Sequence, residues 1–167
     1  MPLDATTYKG ALSRFASGVT VVTTMHDDTP HGLTVSAFSS VSATPPRVLV
    51  CLGNATHSMP LVEKAGRFAV HILGREHVAL GPRFAKFAPG ASDPFEGLAY
   101  RLERTGCPVL VDCLAWLDCQ VETTMVVGDH TVFIGAVEAA GFGATDAEPV
   151  LYYQRGWRLL DPKPVEV

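Results

Sequence analysis

Residues 32–46 read GLTVSAFSSVSATPP, and Thr34, Ser36, Ser39, Ser40, Ser42 and Thr44 all carry small hydroxyls. Small hydroxyls let a ligand approach the backbone, and together with main-chain N–H groups they can bind a phosphate or the polar edge of a heterocycle. A plain edge strand would favour bulkier residues. A solvated hairpin with hydroxyl-to-backbone turns accounts for the same residues, and spacing alone leaves both readings open. Further on, His57 and Ser58 precede a short helix predicted to run to Ala65, with Pro60 in its first turn. A hydroxyl beside a helix N-terminus can receive an anion, although ordinary capping by Thr56 or Ser58 explains it as well. Arg83, on a second short helix, has the bidentate geometry that suits a phosphate, or it is simply a solvated charge. In Gly128, Asp129 and His130 the first two residues are ordinary turn chemistry. His130 is not needed by the turn, and an imidazole at a strand end can donate a hydrogen bond or shuttle a proton near neutral pH.

Other chemistries are excluded by what the chain lacks. There is no G-x-G-x-x-G after a strand, no G-x-x-x-x-G-K-[ST] and no G-x-S-x-G, so Rossmann, P-loop and nucleophile-elbow sites are ruled out. His26, His31, His71 and His77 show no metal-ligand spacing, and no metal site is expected. Cys107, Cys113 and Cys119 recur every six residues, which would put them on one face if they shared a strand. With Cys51 they read as buried, reduced thiols rather than a disulfide framework, and a nucleophilic Cys119 is disfavoured by its apolar neighbours.

The elements that must position these residues suit one soluble domain over residues 1–167, with 47% hydrophobic and 18% charged residues. The formal charge is −4, no basic cluster marks a nucleic-acid footprint, and no apolar run is long enough to span a membrane. The N-terminus lacks a secretory pattern, so a cytoplasmic location is expected. Asp4 caps a predicted first helix whose Tyr8, Ala11, Leu12 and Phe15 share one face, with Gly18 as the stop. Residues 19–26 and 31–38 read as a hairpin around a turn at residues 27–30, and residues 47–53 as a central strand. A strand follows at 67–73, a helix at 76–86, and a long loop at 87–98 that is a candidate lid. Strands at 114–127 and 131–142 and a terminal VLYYQRGWRLL complete a β-rich pattern that favours a closed antiparallel barrel.

Taken together, FASGVTVVTT, GLTVSAFSSVSATPPRVLVCL, RFAVHILGREHVALGPRFA, GDHTVFIGAVE and PVLYYQRGWRLL resemble the flavin reductase family over nearly the whole chain. That family has the FMN-binding split-barrel fold, so the resemblance implies an antiparallel split β-barrel with a few short helices. It implies FMN or FAD as cofactor, NADH or NADPH as hydride donor, a homodimer with its pocket near the subunit interface, and a partner monooxygenase that receives reduced flavin. By carry-over, Thr34, Val35, Ser36 and Ala37 would meet the flavin ring largely through main chain, with Ser40 at the end of that run. Cys51, Leu52, His57 and Ser58 would line the ribityl-phosphate side, with Arg83 and Phe84 at the phosphate or adenine end. His130 would position the nicotinamide, and Tyr153 and Trp157 would reach the same region. His71, His77 and Pro82 depart from the family pattern. A flavin-holding electron carrier and a split-barrel oxidase acting on a small molecule are the competing functions.

Overall fold

The computed structural model describes residues 3–85, 93–143 and 147–160. The first helix, α1 (Ala5–Leu12), starts as expected, with the Asp4 carboxylate accepting the Thr7 N–H at 2.9 Å. It stops earlier than Gly18, where Ser13 takes the cap position, and Gly18 belongs to a short strand, β1 (Ser17–Gly18). None of its residues is buried, and Tyr8, Leu12 and Phe15 lie exposed. Tyr8, Ala11 and Leu12 of the apolar face read from the sequence lie on α1, Phe15 lies beyond its end, and none of the described residues buries them.

Strands β2 (Thr20–His26) and β3 (Thr29–Val35) form the expected hairpin. Its turn is only Asp27 and Asp28, both at positive φ, a backbone that aspartate tolerates better than most residues. Thr29 and Pro30 are therefore strand residues, and Pro30 is admissible because β3 is a sheet edge. After β4 (Phe38–Ala43) the chain turns back into β5 (Pro46–Gly53), which lies next to an edge rather than at the centre. Val48, Val50 and Leu52 of β5 point inward, while Leu49 and Cys51 are half-buried on the other face. Helix α2 (Met59–Ala65) and strand β6 (Arg67–Ile72) follow.

The helix expected at 76–86 is two pieces, a 3-10 turn at Arg75–His77 and α3 (Leu80–Ala85). Pro82 does not interrupt α3; it sits in the first turn, where a missing N–H removes no helical bond. Lys86 and the first half of the expected lid, residues 87–92, lie outside the described residues. Strands β7 (Tyr100–Leu102) and β8 (Pro108–Leu110) pair with each other. The long hairpin β9 (Ala115–Val127) and β10 (His130–Phe142) and the short one β11 (Val150–Tyr153) and β12 (Gly156–Leu159) complete the chain.

Seven strands form one antiparallel sheet in the order β3-β2-β6-β9-β10-β5-β4. Val22, Leu33, Val35, Val50, Phe68 and Phe133, drawn from five of its strands, belong to one buried cluster, so the sheet wraps around a single core. Its edges β3 and β4 do not pair, and the barrel is split there rather than closed. A second cluster (Val19, Val21, Leu73, Phe84, Phe95, Val150) covers the outside of β2 and β6, and a third (Ala69, Cys107, Val109, Cys113, Trp116) packs beside it. The cysteines do not share a strand, since only Cys119 lies in β9, yet all three are buried free thiols. Burial pushes Cys107 and Cys113 up to about 11 and Cys119 up to about 12, which leaves them unreactive. Among the described residues no helix is long and apolar enough to cross a membrane.

Because β2 is covered on both faces, its three threonines need partners. Thr20, Thr23 and Thr24 donate to the carbonyls of Val35, Pro108 and Arg67 at 2.7, 2.5 and 2.8 Å. An unpaired buried hydroxyl would cost about 1–3 kcal/mol, so these bonds are what permit threonine there. His71 on β6 is treated less evenly. Its ring is fully buried, with Nδ1 at 2.9 Å from the Val21 carbonyl and Nε2 without a partner. Burial lowers its pKa from 6.5 to about 4, against the opposing effect of that hydrogen bond. Below pH 6.5 the unfolded chain takes up a proton that the folded chain refuses until about pH 4, so stability is full above that window and declines through it. Replacing His71→Asn, which keeps one donor for Val21, should flatten this acid-side decline by up to about 3 kcal/mol, measured as urea stability from pH 7 to pH 4.

Candidate functional site

The split between β3 and β4 is bridged by two exposed residues, Ser36 and Ala37. The Ala37 carbonyl accepts the Cys51 N–H at 3.0 Å, which ties the crossing to β5. Three depressions open around this crossing, of about 740, 380 and 340 Å³, and Ser36 lines all of them. The largest lies between α1 and the outer face of β5, with Phe15, Phe38 and Tyr152 as aromatic walls and Leu49 and Cys51 as its floor. Ser13, Ser17 and Ser39 add hydroxyls to it, and Lys9 and Arg155 are its only charged residues among those described. The second runs from Ser36 past Thr34 and Pro82 to Trp157. A volume of this size with aromatic walls, scattered hydroxyls and two cations fits a planar heterocycle carrying an anionic tail.

Packing on either side fixes this shape. Gly81 of α3 lies flat against Trp157, where an added Cβ would come within 2.0 Å of the indole ring. Gly32 of β3 likewise accepts the Phe84 ring, leaving 2.8 Å to a Cβ. Thr34 donates to the Gly81 carbonyl at 2.6 Å and so fastens the β3 edge to α3. In the β11–β12 hairpin Tyr152 pairs in register with Trp157, ring against ring edge-on at 5.9 Å.

Of the expected residues, the structure brings Thr34, Ser36, Ala37, Cys51 and Trp157 onto these walls. Val35 and Leu52 turn their side chains into the barrel core, leaving only main chain for a ligand. Ser40 is exposed outside the lining, which takes Ser39 instead. His57 stacks edge-on with His31 at 5.9 Å, away from the lining. Ser58 stands at the N-cap of α2 but makes no side-chain cap; it is buried and donates to the Gly32 carbonyl at 3.2 Å. Arg83 donates to the Glu96 carbonyl, and Phe84 is buried against Phe95 in the second cluster. Tyr153 is not on the lining; its neighbour Tyr152 is, because successive strand residues face opposite sides. The missed residues are Tyr152, Phe15, Phe38, Lys9 and Arg155. Tyr152 was recoverable, since a two-residue turn at Gln154 and Arg155 pairs residue 152 with Trp157.

His130 opens β10 opposite Gly53, on the same outer face as Cys51 and Leu49. Asp129 accepts from its Nδ1 at 2.8 Å, which orients the ring. That hydrogen bond, followed by the imidazole charge and more weakly the charge of Lys9 on α1, holds the Asp129 carboxyl below the usual carboxylate range. Asn54 was also missed. Its N–H donates to the Asp129 carbonyl at 2.9 Å, its side-chain amide reaches the Gly128 carbonyl at 3.5 Å, and it accepts from the Thr131 hydroxyl at 2.8 Å.

Comparison with known proteins places the chain among relatives. Residues 12–160 match the flavin reductase like domain. The reductase subunit HsaB of a flavin-dependent monooxygenase from Mycobacterium tuberculosis is 34% identical over 96% of this chain and 85% of that protein. The reductase component of a 4-nitrophenol 4-monooxygenase/4-nitrocatechol 2-monooxygenase from Rhodococcus opacus is 39% identical over 92% of this chain and 80% of that protein. Among solved structures, the NADH:FAD oxidoreductase SgcE6 of Streptomyces globisporus superposes with a TM-score of 0.88 at 31% identity, covering 97% of this chain and 96% of that one. A second structure of SgcE6 contains NAD and FAD fragments.

Asn54→Ala should remove two side-chain bonds to the turn, each contributing about 1 kcal/mol. The expected outcome is faster amide hydrogen exchange confined to residues 128–131, with exchange in β6 unchanged.

Proposed function

The chain belongs to the flavin reductase like domain family, and on that premise we propose that it is an NAD(P)H:flavin oxidoreductase acting as a single domain. It reduces FMN or FAD and supplies the reduced flavin to a partner monooxygenase, as the names of its relatives describe for those proteins. The observation that carries this reading is the convergence of three depressions on the exposed backbone at Ser36 and Ala37, with aromatic walls and two cations around it.

A bound flavin supplies the ring that accepts a hydride from the nicotinamide donor, so the reaction asks no strong acid or base of the protein. The chain's own work is alignment and electrostatics. Ser36 and Ala37 offer amide and hydroxyl groups at the split, where a heterocycle's polar edge can take the bonds that a closed barrel would give to a neighbouring strand. Phe38 and Tyr152, with the exposed Phe15 beside them, would flank the bound ring, and Leu49 and Cys51 form an apolar floor. His130, oriented by Asp129 and with its turn braced by Asn54, positions the nicotinamide donor at the outer face of β5. Trp157 and Tyr152 wall the route between that face and α3.

The functional unit is a homodimer. Supporting this are α1, none of whose residues is buried against the described chain, and the exposed Met125, Val126 and Val127 at the tip of β9. A second copy would remove these apolar side chains from water, where each gains about 1.5–3 kcal/mol on full burial. The largest depression, bounded by α1, would then be completed by the partner copy.

Mixing the protein anaerobically with FMN or FAD and NADH or NADPH should bleach the flavin absorbance. Absence of bleaching with every pair removes the reductase reading, and oxidation of a small amine or alcohol without nicotinamide turnover would favour an oxidase. Ser36→Trp should fill the depression and weaken flavin binding at least about 100-fold in a folded protein, read by fluorescence titration. His130→Ala should raise the KM for the nicotinamide donor about tenfold while leaving flavin affinity within about twofold.

A further inference from the structure

We infer that Arg155 is the phosphate anchor of this site, a role that rests on the nucleotide reading above and adds to it a residue that neither motif nor resemblance singled out. Arg155 belongs to the two-residue turn of the β11–β12 hairpin, where Gln154 and Arg155 have φ of +49° and +59°. Left-handed backbone of this kind is the province of glycine, asparagine and aspartate. Of the other two-residue turns, β2–β3 places aspartates at both left-handed positions (Asp27 and Asp28), β9–β10 needs only one and fills it with Gly128, and β4–β5 (Thr44 and Pro45) has no positive φ at all. Neither glutamine nor arginine has a short side chain that bonds its own backbone, so the β11–β12 turn accepts strain that the others avoid. Strain of this kind persists where a side chain is needed in place.

That place is the junction of the two largest depressions, which have only Ser36, Tyr152 and Arg155 in common. The turn is pinned there, because the Gln154 N–H donates to the Ser13 carbonyl at the end of α1 at 2.8 Å. Arg155 also has no hydrogen bond or ion pair among the described residues. The Arg14 side chain is likewise unpaired among the described residues but lines neither depression, whereas Arg47, Arg75, Arg101 and Arg104 pair with glutamates, and Arg67, Arg83 and Arg158 donate to carbonyls. No acidic side chain among the described residues lines either depression. A guanidinium held at such a junction with the Ser36 hydroxyl, and with Lys9 also lining the larger depression, is complementary to a phosphate.

Flavin mononucleotide and the nicotinamide dinucleotides both carry that group, and the test separates them. Affinities of wild type, Arg155→Gly and Arg155→Lys are measured for riboflavin, which lacks phosphate, and for FMN, together with the KM for NADH and for NADPH. Arg155→Gly should raise the melting temperature by a few degrees, since glycine relieves the turn, while losing about tenfold or more in affinity for one phosphate-bearing ligand. Riboflavin affinity should stay within about twofold, and Arg155→Lys should recover part of the loss. Loss confined to the FMN-to-riboflavin ratio assigns the anchor to the flavin phosphate; loss confined to the donor KM assigns it to the dinucleotide. If the wild type binds nucleotides and the variants match it in all four measurements, the anchor is overturned and the reductase reading stands. If the wild type binds neither flavin nor dinucleotide, both fall together.

Discussion

Strands β3 and β4 are consecutive in the chain, yet they occupy opposite edges of one sheet and form no ladder with each other. A barrel hides its polar backbone by closing, and a barrel that stays open by one strand pair must satisfy or expose those groups in another way. Part of the β3 edge is met by α3, through the bond from Thr34 to the Gly81 carbonyl. The crossing at Ser36 and Ala37 stays exposed, and every depression at the site touches it. Core packing keeps this opening in a fixed shape: Val35 just before the crossing and Leu52 across from it are both locked into the central cluster. Binding capacity and fold are therefore two sides of one unpaired edge.

Much of the architecture was legible because its signals are local. The β-branched run of β2, the aspartates after it, the Gly-Asp turn of the long hairpin and the Asp4 cap each specify their neighbourhood without help from distant residues. What was not legible depends on partners far along the chain. The first helix shows its amphipathic face, but no sequence pattern says what covers it. Pro82 looks like an interruption until α3 is seen to begin just before it. The shared spacing of Cys107, Cys113 and Cys119 suggests one face, whereas the chain distributes them over turns and a strand that feed two clusters.

The site was legible to the same extent. The hydroxyl-rich segment drew attention for its side chains, and the structure divides them sharply. Thr34 is bonded to α3, Ser39 lines the largest depression, and Ser40 stands outside it. A register shift between Ser40 and Ser42 in the β4–β5 ladder is of the kind that sequence alternation cannot foresee. Tyr153 and Tyr152 were separable only by parity, and parity needs the turn length. Ser58 and Phe84 carry types suited to a ligand but have interior partners, so residue type was a guide to capacity and not to use.

The contact between Gly81 and Trp157 has a consequence beyond the geometry of the wall it forms. With 2.0 Å between the indole and the place where any side chain at position 81 would begin, the two positions cannot drift independently. A larger residue on α3 is admissible only if the C-terminal hairpin gives up its indole, and a smaller residue at 157 leaves a void that α3 is then free to fill. Among descendants of this sequence the two positions should behave as one inherited character, changed in pairs or left alone.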